Sequence, residues 1–210
     1  MSILVDRNIE AAQHNENGGL HIEPFNPANL QGNAYDVHLG STLMVIENQV
    51  DYIEDQDGIA VYPTSRNYKP AIDCKSPIKT ISYEIESYGH TLNPGVLYLG
   101  VTTERVTLKD FCAMLNGKSS LGRSGLSPHY TAGLIDAGFD GYITLEITVV
   151  HPIRVYVGMP IAQLVFHTLT DAPIKPYNLQ KDAKYNGQLE CVPVAPKFYQ
   201  NFNQETGQWK

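Results

Sequence analysis

Short β-rich runs, repeatedly broken by glycine and proline, constrain the fold of this chain more than any other feature. Runs rich in Val, Ile, Thr, Leu and Tyr fall at 35–47, 59–62, 80–87, 96–106, 142–150, 153–157 and 161–168. Turn signals separate them: Asn26-Pro27, Asp57-Gly58, Asn93-Pro94-Gly95 and the glycine-rich stretch 133–141. β-Branched and aromatic side chains suit a pleated, half-buried surface, while Gly, Pro and Asn supply the backbone angles of turns. Helical periodicity is confined to residues 2–13, with Ile3, Leu4, Ile9 and Ala12 on a common side. Many short strands with frequent turns predict a mainly β fold of the sandwich, barrel or jelly-roll kind, with few short helices. No repeat, low-complexity tract or linker divides the chain, so residues 1–210 read as a single domain. Its ends read as an N-terminal helix and extension over about 1–19 and a polar tail at 195–210, a mobile arm or a subunit-swapped extension.

Charge narrows the range of partners. The formal net charge is −7, which opposes nucleic-acid binding, because that binding rests on neutralising phosphates. A small anion is still admissible where a few cations reverse the local field. No apolar run reaches the length of a membrane span, and the acidic start MSILVDRNIEAAQ does not read as a signal peptide. Cys74, Cys112 and Cys191 are far apart and odd in number, which predicts no disulfide framework and a reducing compartment. The expected home is the cytoplasm, or the host's cytoplasm for a viral gene.

Three motif fragments offer chemistry. Gly117-Lys118-Ser119 matches the end of a Walker A loop, but the required upstream glycine is replaced by Cys112. A P-loop is therefore rejected. What remains is Lys118, Ser119, Ser120 and Arg123 among Gly117, Gly122 and Gly125, which read as a polar turn between strands or as a set suited to an anionic ligand. His21-Ile22-Glu23 carries the H-x-E of zinc deaminases, but no C-x-x-C follows. It reads better as an alternating edge strand with Ile22 inward. The seven histidines form no HExxH, so no protein-bound zinc is expected, and no G-x-S-x-G elbow is present.

The segment 141–149 alternates cleanly. Ile143, Leu145, Ile147 and Val149 share one face; Thr144, Glu146 and Thr148 share the other. Glu146 is either a solvated residue on an outer face or a working carboxylate. A strand carboxylate covered by a neighbouring subunit makes a good general base, because its aim is fixed and its solvation reduced.

Taken together, residues 117–146, GKSSLGRSGLSPHYTAGLIDAGFDGYITLE, resemble the dCTP deaminase branch of the trimeric dUTPase superfamily. Ala34-Tyr35-Asp36-Val37-His38-Leu39-Gly40 resembles the family's S-x-D-x-x-L-G segment, and 158–166 its G-x-x-I-x-Q-L-x-F strand, which includes Gln163. Pro176-Tyr177-Asn178 and Asp182-Ala183-Lys184-Tyr185 resemble the deaminase C-terminal segment. The resemblance spans roughly residues 20–188.

It implies a distorted jelly-roll subunit in a homotrimer, with active sites between subunits and cytosine deamination without zinc. By the same resemblance, Glu146 takes a proton from water and passes it to the ring nitrogen and the leaving amine. Ser119 and the carbonyl of Ala132 hold that water, and Arg123 of the adjacent subunit stands beside the pyrimidine. Asp136 receives the sugar 3′-hydroxyl. Ser120, Tyr177, Lys184 and Gln188 form the phosphate set, with Lys118 and Gln163 further substrate contacts. Mg²⁺ comes bound to the triphosphate, and His129 corresponds to a histidine that switches between active and dTTP-inhibited states. Lys118 departs from the family's usual Arg. A point charge replaces a fork, which would relax selectivity toward dCMP or dCDP.

Three reactions fit this reading: deamination of dCTP to dUTP, a bifunctional reaction giving dUMP, and a plain dUTPase. The string IDAGF resembles bifunctional members. The absence of a glycine-rich lid and the segments around Glu146 and Lys184 disfavour the plain dUTPase. A catalytically silent nucleotide-binding regulator on the same fold is the alternative of a different class.

Overall fold

The computed structural model describes residues 2–15, 18–47 and 71–209, together with the backbone of 53–54 and 60–61. The turn at Asp57-Gly58, the flanks of the run at 59–62 and residues 63–70 of the polar insert lie outside the described residues.

The fold is mainly β. Helix α1 (Asp6–His14) leads into β1 (Leu20–Glu23), β2 (Leu30–Gln31), β3 (Ala34–His38) and β4 (Thr42–Ile46). A small pair, β5 (Ile53–Glu54) and β6 (Ala60–Val61), precedes β7 (Thr80–Glu84), β8 (His90–Leu92), β9 (Tyr98–Leu108) and β10 (Phe111–Gly117). The short helix α2 (Ser119–Arg123) follows, then β11 (Leu126–Ser127), β12 (Leu134–Ile135), β13 (Asp140–Val149), β14 (Ile153–Val155) and β15 (Pro160–Thr168). A tail hairpin of β16 (Phe202–Asn203) and β17 (Gln208–Trp209) ends the chain.

Two antiparallel sheets carry the core. One runs β11-β13-β9-β4-β7, with β1 also beside β9; the other runs β12-β10-β15-β3-β2. Side chains from both meet in one buried cluster that includes Tyr35, Val37, Leu43, Val106, Leu145, Ile147, Leu164 and Phe166. The alternation read from 141–149 is present: Ile143, Leu145, Ile147 and Val149 are buried, and Thr144, Glu146 and Thr148 are half-buried on the opposite face. Each buried aliphatic contributes about 1.5–3 kcal/mol. A one-residue slip would exchange the two faces and drive Glu146 into the core, so the register is strongly held.

The expected strand at 35–47 is two strands. Leu39-Gly40-Ser41 turns the chain from one sheet to the other, and a Cβ at Gly40 would lie 2.8 Å from Val101 Cγ1. β1 is the edge strand expected from H-I-E: it pairs with β9 alone among the described strands, and Ile22 is 1% exposed. α1 starts at Asp6, so Ile3 and Leu4 precede it; Leu4 and Ile9 are buried, whereas Ile3 is 51% exposed. β10 was not anticipated. It lies inside the second sheet between β12 and β15, but its sequence FCAMLNG lacks the β-branched residues that announce a strand.

The tail at 195–209 folds back on its own chain. Phe198, Phe202 and Trp209 pack together, and Gln204 Nε2 donates to the Lys75 carbonyl at 2.8 Å.

Candidate functional site

Glu146 projects from β13 into the wall of a cavity of about 370 Å³. The cavity is also lined by Ala132, Asp136, Thr144, Tyr177, Tyr185 and Gln188, with Leu99, Phe139 and Ile143 as an apolar floor. The chain places this carboxylate in two ways. Its own backbone N–H donates to the Pro128 carbonyl at 3.1 Å, and its Oε2 accepts from the Thr131 N–H at 3.2 Å. The loop between β11 and β12 is thus drawn against the strand on both sides of the carboxylate. In that loop Ala132 adopts φ +58°, the left-handed region that a residue with a Cβ enters only at a cost of about 1–3 kcal/mol. Such strain turns a peptide group in a direction that ordinary loop geometry does not give. Ala132 spends it at the cavity wall beside Glu146.

Tyr177 and Gln188 come from the C-terminal segment. Gly138, at φ +90°, lets that segment approach: a Cβ there would lie 2.7 Å from the Tyr177 N. Tyr177 N donates to the Ala137 carbonyl at 2.7 Å, and its hydroxyl accepts from the Tyr185 N–H at 3.1 Å. Gln188 lies across β13, its carbonyl accepting from the Tyr142 N–H at 3.1 Å. Asn186 Oδ1 accepts from the Asp140 N–H at 2.8 Å, so residues 185–196 form a strap along the start of β13. Asp136, exposed, stands in the wall shared with a neighbouring cavity of about 290 Å³ that holds Cys112, Lys175 and Gln180.

The other expected residues lie elsewhere. Ser119 and Lys118 line a separate cavity of about 410 Å³ with Pro128, Thr148 and Val149. Ser120 and Arg123 are exposed on α2 and line neither cavity. β13 runs between the two cavities, with Glu146 on one and Thr148 on the other. Lys118 Nζ sits 2.5 Å from Asp36 Oδ2, and Gln163 Nε2 donates to Asp36 Oδ1 at 2.9 Å, so both join a cluster on β3. Lys184 Nζ donates to Asn201 Oδ1 of the tail. His129 is half-buried in the β11–β12 loop, and its Nδ1 has no hydrogen-bond partner among the described residues. Within one chain, then, Glu146, Ala132, Asp136, Tyr177 and Gln188 converge, while Ser119, Ser120 and Arg123 do not join them.

The segment 3–169 matches the family described as dCTP deaminase-like. The chain belongs to that family. It is similar to a "dCTP deaminase, dUMP-forming" of Methanoculleus marisnigri, 38% identical over 193 residues that cover 90% of this chain and 92% of that protein. It is similar also to the protein of that description from Methanospirillum hungatei, 36% identical over 202 residues, 95% and 97% of the two chains. Among solved structures it resembles the 2′-deoxycytidine 5′-triphosphate deaminase of Agrobacterium tumefaciens, with a TM-score of 0.54 at 22% identity, over 79% of this chain and 48% of that one. The chain therefore spans about half the length of that structure, and the likeness is one of fold. The mainly β fold expected from the strand pattern is the one shared with that deaminase.

The match at 3–169 takes in Glu146, Ala132, Asp136 and α2, but not the strap. Thr144, Tyr142, Val194 and Pro196 also line the cavity, and the sequence motifs assign none of them to the site. Thr144 had a signal, since the alternation puts it on the face of Glu146. Val194 and Pro196 had none. Among the described residues no group of three or more His, Cys, Asp or Glu could hold a metal ion, and no helix is long and apolar enough to cross a membrane.

Proposed function

We propose that this chain catalyses the hydrolytic deamination of dCTP to dUTP and ammonia in pyrimidine deoxynucleotide synthesis. The supporting observation is Glu146, half-buried on a rigid strand inside a nucleotide-sized cavity, beside the strained Ala132 peptide. Water must add to C4 of the cytosine, and ammonia must leave. One group has to carry two protons from that water, the first to the ring nitrogen as the oxygen adds to C4 and the second to the amine as it leaves. A single carboxylate can do both when it is held within reach of the water, the ring nitrogen and the amine. Glu146 carries that proton traffic, and the Ala132 carbonyl and the Ser119 hydroxyl hold the water. Asp136 receives the sugar hydroxyl, and Tyr177 and Gln188 form the far end toward the phosphates, with Ser120 and Lys184. Mg²⁺ enters on the triphosphate, neutralising its charge, and zinc takes no part.

Arg123 reaches the pyrimidine, Ser119 the water and Ser120 the phosphates from a neighbouring copy, and the working unit is a homotrimer like that of the superfamily the sequence resembles. In a closed heterologous ring each surface of one subunit meets a different surface of the next. The separation of Glu146 from α2 within one chain fits that arrangement. The enzyme is placed in the cytoplasm, with the soluble nucleotide pool.

A second step, cleavage of the pyrophosphate to give dUMP, is favoured by the description "dCTP deaminase, dUMP-forming" of the relatives and by Asp136, an exposed carboxylate at the cavity wall. Incubation with dCTP, dCMP and dUTP in separate vessels tests the reading. Ammonia with dUTP supports the first reaction alone; ammonia with dUMP and pyrophosphate supports both. dUMP from dUTP without ammonia from dCTP would mean a plain dUTPase, and no product from any nucleotide would mean a silent binding protein. His129 Nδ1, without a hydrogen-bond partner among the described residues and on the loop that carries Ala132, suits a switch. Saturating dTTP is expected to lower the rate, and an unchanged rate excludes the switch.

A further inference from the structure

Two lysines correspond to substrate contacts, and their surroundings differ. Lys118 Nζ lies 2.5 Å from Asp36 Oδ2, with the two side chains only 19% and 11% exposed. Asp36 also accepts from Gln163 Nε2 at 2.9 Å and from Gln31 Nε2 at 3.2 Å. These groups form a row across the second sheet: Asp36 on β3 faces Gln163 on β15, which faces Asn116 on β10. Lys118 follows two residues on, and its carbonyl accepts the first bond of α2, from the Gly122 N–H at 2.9 Å. The residue that opens α2 is therefore tied by its side chain to the far strand of the row. Lys184 instead donates to the neutral amide of Asn201, and among the described residues no carboxylate pairs with its charge.

We infer that Asp36 is a positioning residue: it holds Lys118 as a strut at the start of α2, the helix that carries Ser119 and Arg123, and withdraws it from phosphate recognition, which falls to Lys184. A phosphate competing for Lys118 would have to open a mostly buried ion pair and strand the Asp36 charge, a costly exchange. At Lys184 the same phosphate displaces only a neutral acceptor. The inference rests on the deamination reading for its kinetic part and on the fold alone for its structural part.

The test measures kcat and KM for ammonia release from dCTP and dCMP in the full-length protein, K118M, K118R and K184M. K118M is expected to lower kcat on both nucleotides together and keep the dCTP-to-dCMP selectivity within ~3-fold of the parent, while K184M cuts it ~10-fold or more. K118R, which can still reach Asp36, is expected to restore kcat. Selectivity lost in K118M and kept in K184M, or a parent protein that uses the two nucleotides equally, overturns the inference.

A parent protein that releases no ammonia refutes the deamination reading instead. Thermal unfolding of D36N, K118M and the double variant then decides the structural part. Coupled residues give a double variant no less stable than the weaker single one. Additive losses overturn the pairing.

Discussion

At the scale of single residues, Glu146 and the loop that meets it stand at the centre of the proposed chemistry. A carboxylate on the polar face of an amphipathic strand is ordinary; one whose Oε2 accepts from Thr131 beside a left-handed Ala132 is placed for work. Glu146→Gln keeps the shape and the acceptor but cannot carry a proton. It is expected to lower kcat ~10²–10⁴-fold with the fold intact, as measured by ammonia release. Turnover within tenfold of the parent would remove Glu146 from the role. The cysteines stay outside the chemistry. Burial pushes the thiols of Cys112 and Cys191 up, first by desolvation, whereas Cys74 is exposed. A thiol reagent at neutral pH should therefore titrate one fast thiol in the native protein, Cys74, and all three after denaturation. Fast modification of Cys112 in the native state would show that its pocket opens.

Among elements, β13 and the C-terminal strap divide the labour. The strand fixes Glu146 by burying its opposite face, and the strap closes the cavity over it. Asn186 anchors the strap by accepting the Asp140 N–H, while the Asp140 carboxylate takes Arg105 Nη2 at 2.7 Å on β9. Asn186→Ala leaves a partly buried N–H unpaired, a loss of about 1–3 kcal/mol. The expected result is a raised KM for dCTP with kcat less affected, and rescue by Asn186→Asp, which keeps the acceptor. An unchanged KM would show that the strap is held by other contacts.

These two elements also mark what the sequence could disclose. β13 was legible because a strand buried on one face must alternate, so Glu146 and Thr144 could be placed on the cavity side before any coordinates. β10 was not, because Ala113 and Met114 enter a strand through burial rather than propensity. The strap was not legible either, since its hydrogen bonds to 140–144 follow no period. Nor could the sequence reveal that Lys118 is committed to Asp36, a contact that spans 82 positions and depends on how three strands stack.

For the whole molecule, an acidic chain has to bring cations to a triphosphate, and one copy does not bring them all to one place. Glu146, Ala132, Asp136, Tyr177 and Gln188 wall one cavity, whereas Ser119 lines the other and Arg123 is exposed on α2. The deaminase-like fold reconciles the two halves if copies assemble head to tail. Arg123→Ala is then expected to abolish turnover while the oligomer, read by sedimentation, survives; persistent turnover would free Arg123 from the site.

The central claim is that Glu146 of one copy and Arg123 of the next act on the same cytosine, and complementation measures it. Glu146→Gln and Arg123→Ala chains, each inactive alone, are unfolded together, refolded as a mixture and assayed for ammonia from dCTP. A random ring assembles intact sites at about a quarter of its seams, so recovery of roughly a quarter of the parental activity is predicted. A mixture that assembles normally and remains as silent as its two components would contradict the account.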